Sequence, residues 1–198
     1  MADTLLQLFA RPPRAGRVKT RLIPTLGRER ALAVYRHCLH HNWSVLQASG
    51  FDYQLWMSDH DPDNELNAAA IHLQQGDDLG QRMCHAMQQG LLSHRQVILI
   101  GSDCLDISTG LLARVNAQLE SHHLVIVPAL DGGYVLIAAR HSIAQALFDD
   151  IDWGSDRVLE QTLRQVEAVG LDAYLFDPLR DIDRVDDLQH YPALHQYL

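Results

Sequence analysis

Five of the chain's sixteen Lys and Arg residues stand within eleven positions, Arg11, Arg14, Arg17, Lys19 and Arg21, around Gly16. Guanidinium groups fork onto phosphate oxygens and an ammonium adds a compact point charge, so this spacing suits a di- or triphosphate. A solvated basic loop would have the same composition. The remainder of the chain is acidic, with a formal net charge of -9, which makes the cluster a local device. The loop contains neither G-x-x-x-x-G-K-[ST] nor G-x-G-x-x-G, so phosphate would be held mainly by side chains.

Three acidic segments could complete such a site. The first is Gly101-Ser102-Asp103-Cys104, which follows the apolar run Val97–Ile100. An aspartate leaving a buried strand there is placed to hold Mg²⁺ or Mn²⁺ against phosphates; alternatively Asp103 or Asp106 caps the next helix. Cys104 has no histidine nearby in sequence to activate it and reads as a small buried residue. The second segment is Asp131-Gly132-Gly133-Tyr134, whose glycines permit close approach of a ligand to the backbone or form a plain hairpin turn. The third is Asp181-Ile182-Asp183. In an extended chain its carboxylates share one face and need a cation, whether a metal or a neighbour such as Arg180 or Arg184. Trp153 suits stacking on a base or sugar and equally suits a packing plug. His37 and His41 stand at i, i+4 on an expected helix, but H-E-x-x-H is absent and no third zinc ligand is evident.

The elements that must position these residues alternate in type. Strands are expected at Thr4–Ala10, Tyr53–Met57, Val97–Ile100, Leu124–Val127, Gly133–Ala138 and Ala173–Phe176, with a short segment near Ile71–Leu73. Helical spacing marks Arg28–Ala48, Leu79–Leu91, Leu111–Leu119 with Ser108 or Thr109 as cap, Asp156–Val169, and a last turn or two in Val185–Tyr191. This order predicts an α/β protein with a mainly parallel sheet and helices on both faces. Ligands of such sheets sit beyond the carboxyl ends of the strands, where the basic loop and the acidic segments fall.

Length and composition set the remaining bounds. The 198 residues suit one domain, spanning 1–198, with a full hydrophobic core. Cys38, Cys84 and Cys104 form no C-x-x-C pair and leave an odd thiol, which favours a reducing compartment. The Met-Ala-Asp start shows no basic or apolar leader, no apolar run reaches the ~18 residues that span a bilayer, and a cytoplasmic location is the expectation. The pI of about 5.6 argues against non-specific nucleic-acid binding.

Six strings in order, FARPPRAGRVKTRL at 9–22, QGDDLGQRM at 75–83, LIGSDC at 99–104, PALDGGYVLI at 128–137, DWG at 152–154 and DIDRVDDL at 181–188, carry a family resemblance. The chain resembles the glycosyltransferase-like group labelled radical-SAM/selenodomain-associated transferases, within the GT-A, or nucleotide-diphospho-sugar transferase, superfamily. That resemblance implies a GT-A-like (Rossmann-like) fold, a nucleotide or nucleotide-sugar donor, a small-molecule acceptor and a Mg²⁺ or Mn²⁺ cofactor. Arg11, Lys19 and Arg21, with Gly16 and Arg17 beside them, would meet donor phosphates. Asp103 would hold the metal, with Asp183 and Asp181 as a second acidic element. Asp78, Gly80 and Arg82 would line the donor pocket, and Asp131, Gly132 and Gly133 would border the acceptor, with Asp131 as base; Tyr134 and Trp153 would also bind substrate. Leu105 stands where the family commonly has proline, and Arg184-Val185-Asp186 replaces a Thr-Pro-Glu. Two chemistries share this apparatus: glycosyl transfer, which releases a nucleoside diphosphate, and nucleotidyl transfer, which releases pyrophosphate. The string Lys19-Thr20-Arg21-Leu22 also resembles loops of small guanylyltransferases of cofactor synthesis. A non-catalytic nucleotide-binding protein is a third reading.

Overall fold

The computed structural model describes residues 3–198. Strands β1 (Thr4–Ala10), β2 (Asp52–Met57), β3 (Ile71–Leu73), β4 (Gln96–Gly101), β5 (Leu124–Pro128), β6 (Tyr134–Arg140) and β7 (Ala173–Leu175) form one seven-stranded sheet in the order β3-β2-β1-β4-β6-β5-β7. Neighbouring strands run parallel except at β6, which is antiparallel to both β4 and β5. Chain length explains that reversal. Residues 129–133 alone join β5 to β6, far fewer than a parallel crossover needs, so β6 must fold back as a hairpin.

Helices α1 (Ile23–Ala48) and α3 (Thr109–Gln118) cover one face of the sheet; α2 (Leu79–Leu91) and α4 (Val158–Ala168) cover the other. Strand alternation feeds both layers. In β1, Leu6, Leu8 and Ala10 point to the α1–α3 side, whereas Leu5 and Phe9 point to the α2–α4 side. A third apolar cluster clamps the C-terminal segment, with its short α5 (Val185–Leu188), onto α1: Ile182, Leu188 and Leu194 are buried against Leu22, Ala31, Val34 and Cys38.

Helix α1 begins five residues earlier than its apolar pattern indicated, because Gly27, at φ 79° and ψ 168°, interrupts the helix and lets a kinked first turn attach. Asp78 caps α2 by accepting the Gln81 N–H, and Ser108 caps α3 by accepting that of Leu111. Neither Asp103 nor Asp106 is needed as a cap, which leaves Asp103 to the loop beyond β4.

Candidate active site

Four connections converge at the carboxyl edge of the parallel strands: residues 11–19 after β1, 102–108 after β4, 129–133 between β5 and β6, and 176–184 after β7. The last is pinned beside the third. Ala129 and Leu179 form a parallel bridge, the Leu130 N–H donates to the Leu179 carbonyl at 3.0 Å, and the Leu179 N–H donates to that of Pro128 at 2.9 Å. Asp131 and Asp181 are thereby brought to one place from sequence positions fifty apart.

Lys19 sits at the centre. Its side chain is only 5% exposed, and its Nζ lies 2.8 Å from Asp103 Oδ1 and donates to the Ile182 carbonyl. A charge that deeply placed requires a partner, and Asp103, whose side chain is 47% exposed, joins it to the open edge. Lys19 adopts a left-handed backbone, φ 47° and ψ 43°, which costs a non-glycine residue about 1 kcal/mol or more. That turn aims the ammonium inward from a loop whose arginines are exposed. Arg21 pairs with Asp183 at 2.5 Å, and the hydrogen bond and charge of Asp183 push its guanidinium pKa up. Asp131 and Asp181 act on Arg21 in the same direction.

Asp181 is the perturbed acid of the group. Burial, then the charge of Asp131, raise its pKa to about 6; Asp103 adds to the rise and Lys19 opposes it. Its native pKa lies above the unfolded value of ~3.9, so the native state binds this proton more tightly between the two. The contribution of Asp181 to stability is therefore present below about pH 4 and is lost as the pH rises through about 6. Asp181→Asn is expected to remove that slope and, after discounting for partial solvent screening, to stabilise the fold by roughly 1 kcal/mol at pH 8. Urea unfolding of both proteins from pH 4 to pH 8 checks this; parallel curves would count against it.

The basic loop does not act as one unit. Arg14 turns away to pair with Asp59 at 2.9 Å and to donate to the His60 carbonyl. Arg11 and Arg17 are exposed, and Gly16 makes the turn between them at φ 78°. Arg180 is bound to Asp187 at 3.1 Å, so Asp183 finds its cation in Arg21 rather than in its sequence neighbours. Asp131 holds its Oδ1 on the Gly133 N–H at 3.0 Å and is exposed. Burial raises the Cys104 and Cys38 thiols to about 12, which suits inert packing residues.

Four of the expected ligand residues make packing contacts. Tyr134 and Trp153 pack in the α2–α4 layer, edge to face with centroids 6.4 Å apart. The Tyr134 hydroxyl is buried, and that burial pushes its pKa up. The space beside Gly80 is filled by the Trp153 ring, which would lie 2.6 Å from an added Cβ. The close approach at Gly132 is made by the main chain of Asp156, whose carbonyl oxygen would lie 2.1 Å from a Cβ there. The absence of a side chain thus serves packing at both glycines. Asp78 and Arg82 shape the turn before α2, Asp78 as cap and Arg82 by donating Nε to the Gly76 carbonyl at 2.9 Å.

Two residues that sequence reasoning passed over hold the site from below. The Tyr35 hydroxyl accepts the Arg11 N–H and donates to the Arg11 carbonyl, both at 2.8 Å. Asn42 Nδ2 reaches the carbonyls of Cys104 at 3.0 Å and Ser102 at 3.3 Å. The signal was present for Asn42, an amide standing in the apolar stripe of Tyr35, Cys38, Leu39 and Leu46.

The carboxylates suit a hard cation. Asp103 Oδ1 is buried and is met only by the Lys19 ammonium. Among the described residues no group of three His, Cys, Asp or Glu side chains is placed to hold a metal ion. An open set of one or two carboxylates matches the way Mg²⁺ is bound together with phosphates and water.

Known proteins resemble the chain in sequence and in fold. A family model described as an uncharacterized protein conserved in bacteria, DUF2064, matches residues 40–155. No curated protein matches the chain. A crystal structure described as a candidate nucleotide-diphospho-sugar transferase from Desulfovibrio desulfuricans G20 superposes with a TM-score of 0.91 at 31% identity, covering 98% of this chain and 89% of that one. The structure of CMP:2-keto-3-deoxy-manno-octonic acid synthetase complexed with CTP gives 0.62 at 11% identity over the whole of both chains. The 4-diphosphocytidyl-2C-methyl-D-erythritol synthase of Anaerococcus prevotii DSM 20548 gives 0.60 at 10% identity, over 98% and 99%. The latter two share only the α/β fold, which is GT-A-like. Matched over more than half its length, the chain belongs to the bacterial DUF2064 family.

Proposed function

We propose that the protein is a transferase that takes its group from a nucleotide-bound donor with the help of a divalent metal, and that the reaction is glycosyl transfer from an NDP-sugar to a small acceptor. The observation that carries this reading is the 2.8 Å contact of Lys19 with Asp103, which joins the basic loop to the acidic edge across 84 residues of sequence. Lys19 and Arg21, with Arg11 and Arg17 on the same loop, offset the negative charge that grows on a departing diphosphate. Asp131, exposed at the same edge, accepts the proton of the acceptor hydroxyl as its oxygen bonds to the sugar C1 and the C1–phosphate oxygen bond breaks. Mg²⁺ or Mn²⁺ bound by Asp103, with Asp183 and Asp181 in support, would neutralise the diphosphate. The 31%-identical relative, described as a sugar-nucleotide enzyme, supports glycosyl transfer. Nucleotidyl transfer is the second reading, supported by the fold shared with two cytidylyl-transferring enzymes.

A thermal-shift panel of nucleoside triphosphates and NDP-sugars, with and without Mn²⁺, tests the proposal. A ligand selective for the native state at a hundred times its Kd raises stability by about 2.7 kcal/mol. The expected result is a rise for an NDP-sugar that requires Mn²⁺, followed by release of nucleoside diphosphate when acceptors are supplied. Release of pyrophosphate from a triphosphate would select the second reading, and no shift with any nucleotide would overturn both.

A further inference from the structure

We infer that Tyr35 and Asn42 of α1 are positioning residues that hold the Arg11 loop and the Asp103 loop in fixed relation, an inference that rests on the site reading above. Both are buried, at 3% and 0% exposure, on the helix face turned to the sheet edge. They stand seven positions, about two turns or ~10 Å, apart. Burying a phenol and an amide is unfavourable unless they are hydrogen-bonded, and a leucine at either place would extend the apolar stripe of Leu32, Leu39 and Leu46 without that demand.

The bonds these two residues make show what they are for. Apart from one Asn42 bond to the Cys38 carbonyl within α1, at 3.0 Å, all go to the two loops of the site. Tyr35 closes a two-way bridge with the main chain of Arg11, and the Ser102 hydroxyl lies 3.5 Å from the same oxygen. Asn42 grips the carbonyls on either side of Asp103, while the Ile182 N–H donates to the carbonyl of Asp103 itself at 2.9 Å. Asp103 is thus held at three consecutive carbonyls, and one rigid helix references both halves of the site. Such control matters because a displacement of about 1 Å in a group that must meet a ligand can cost a hundredfold in rate.

The test is equilibrium binding of Mn²⁺ with inorganic pyrophosphate to the wild type, Tyr35→Phe, Asn42→Ala, Asp103→Asn and Leu46→Val, well below every unfolding midpoint. Leu46 is a fully buried apolar residue at the far end of α1 and reports generic loss of packing. Tyr35→Phe and Asn42→Ala are each expected to weaken binding about tenfold, as loss of groups that orient ligands does. Leu46→Val should lower the midpoint yet keep the wild-type Kd, since nearly all molecules remain folded. Wild-type Kd values in Tyr35→Phe and Asn42→Ala, alongside lost binding in Asp103→Asn, would overturn the positioning role and leave the site reading standing. Equal weakening in Leu46→Val would overturn it too, and failure of the wild type to bind would remove both. Should Asn42→Ala not fold, Tyr35→Phe, which keeps the ring, decides alone.

Discussion

Asp103→Asn is expected to weaken Mn²⁺-dependent nucleotide binding by roughly a hundredfold or more, because loss even of groups behind a metal ligand costs 10–100-fold in affinity. The carboxamide keeps the size of the side chain, but it removes the charge that faces both Lys19 and the proposed metal. Metal-free binding should fall far less, since Arg11, Arg17 and Arg21 remain. The fold should feel the change as well: Lys19, 5% exposed, would lose its anion while its ammonium stays out of water. A fully buried pair broken in this way costs 3–5 kcal/mol. Asp103 is nearly half exposed and the Ile182 carbonyl still accepts from Lys19, so about 1–2 kcal/mol is the expectation here. Calorimetric titration with and without Mn²⁺, combined with urea unfolding, separates the two effects. Equal nucleotide and metal affinity in the variant would remove Asp103 from the site.

Gly132→Ala carries the largest expected effect on stability. The residue has φ 93°, outside the range that side chains favour, and the new Cβ would meet the Asp156 carbonyl oxygen at 2.1 Å and its carbon at 2.6 Å. These are main-chain atoms at the entry to α4, and the Leu159 N–H donates to the Gly132 carbonyl at 2.9 Å, so neither side can yield alone. Backbone strain of 1–3 kcal/mol and the overlap together suggest about 4 kcal/mol. For a chain of this size that lowers the melting midpoint by roughly 10 °C. Because the same loop presents Asp131, the variant should also bind acceptor poorly wherever it remains folded. Differential scanning calorimetry decides; a midpoint within about 2 °C of wild type would show that the loop relaxes.

The strands and long helices were legible because the core they enter is built on alternation and helical spacing, and β1 falls on Thr4–Ala10 as read. The reversal of β6 was legible only through the hairpin reading of Asp131-Gly132-Gly133, since an apolar run buried on both faces has no direction; the five-residue connection before it carries that information. Lys19 and Asp103 were recognisable as chemistry by residue type, and the alternation of strand and helix sent both to the same edge of the sheet. The hidden part was the contribution of neighbours. Nothing local in Arg14 shows that Asp59 occupies it, and nothing in Asp183 shows that Arg21, not Arg184, is its partner. Gly80, Gly132, Tyr134 and Trp153 belong to strings shared with ligand-lining segments, and those strings do not show the packing between elements distant in sequence in which all four take part. By its spacing Tyr35 is one more apolar position on the helix, because a phenol shows its polar end only once its partner is known.

The pairing of Lys19 with Asp103 and of Arg21 with Asp183 has a consequence for how a ligand reaches the protein. Positive and negative groups lie within 3 Å of each other, on a molecule whose formal net charge is -9, and so cast little field into solvent. Beyond a Debye length of about 8 Å the net charge is largely screened, so an approaching polyanion meets little force of either sign. Capture must therefore be decided at contact, where the cations exchange one anionic neighbour for another, and the arrival rate should be set by fit rather than by long-range attraction.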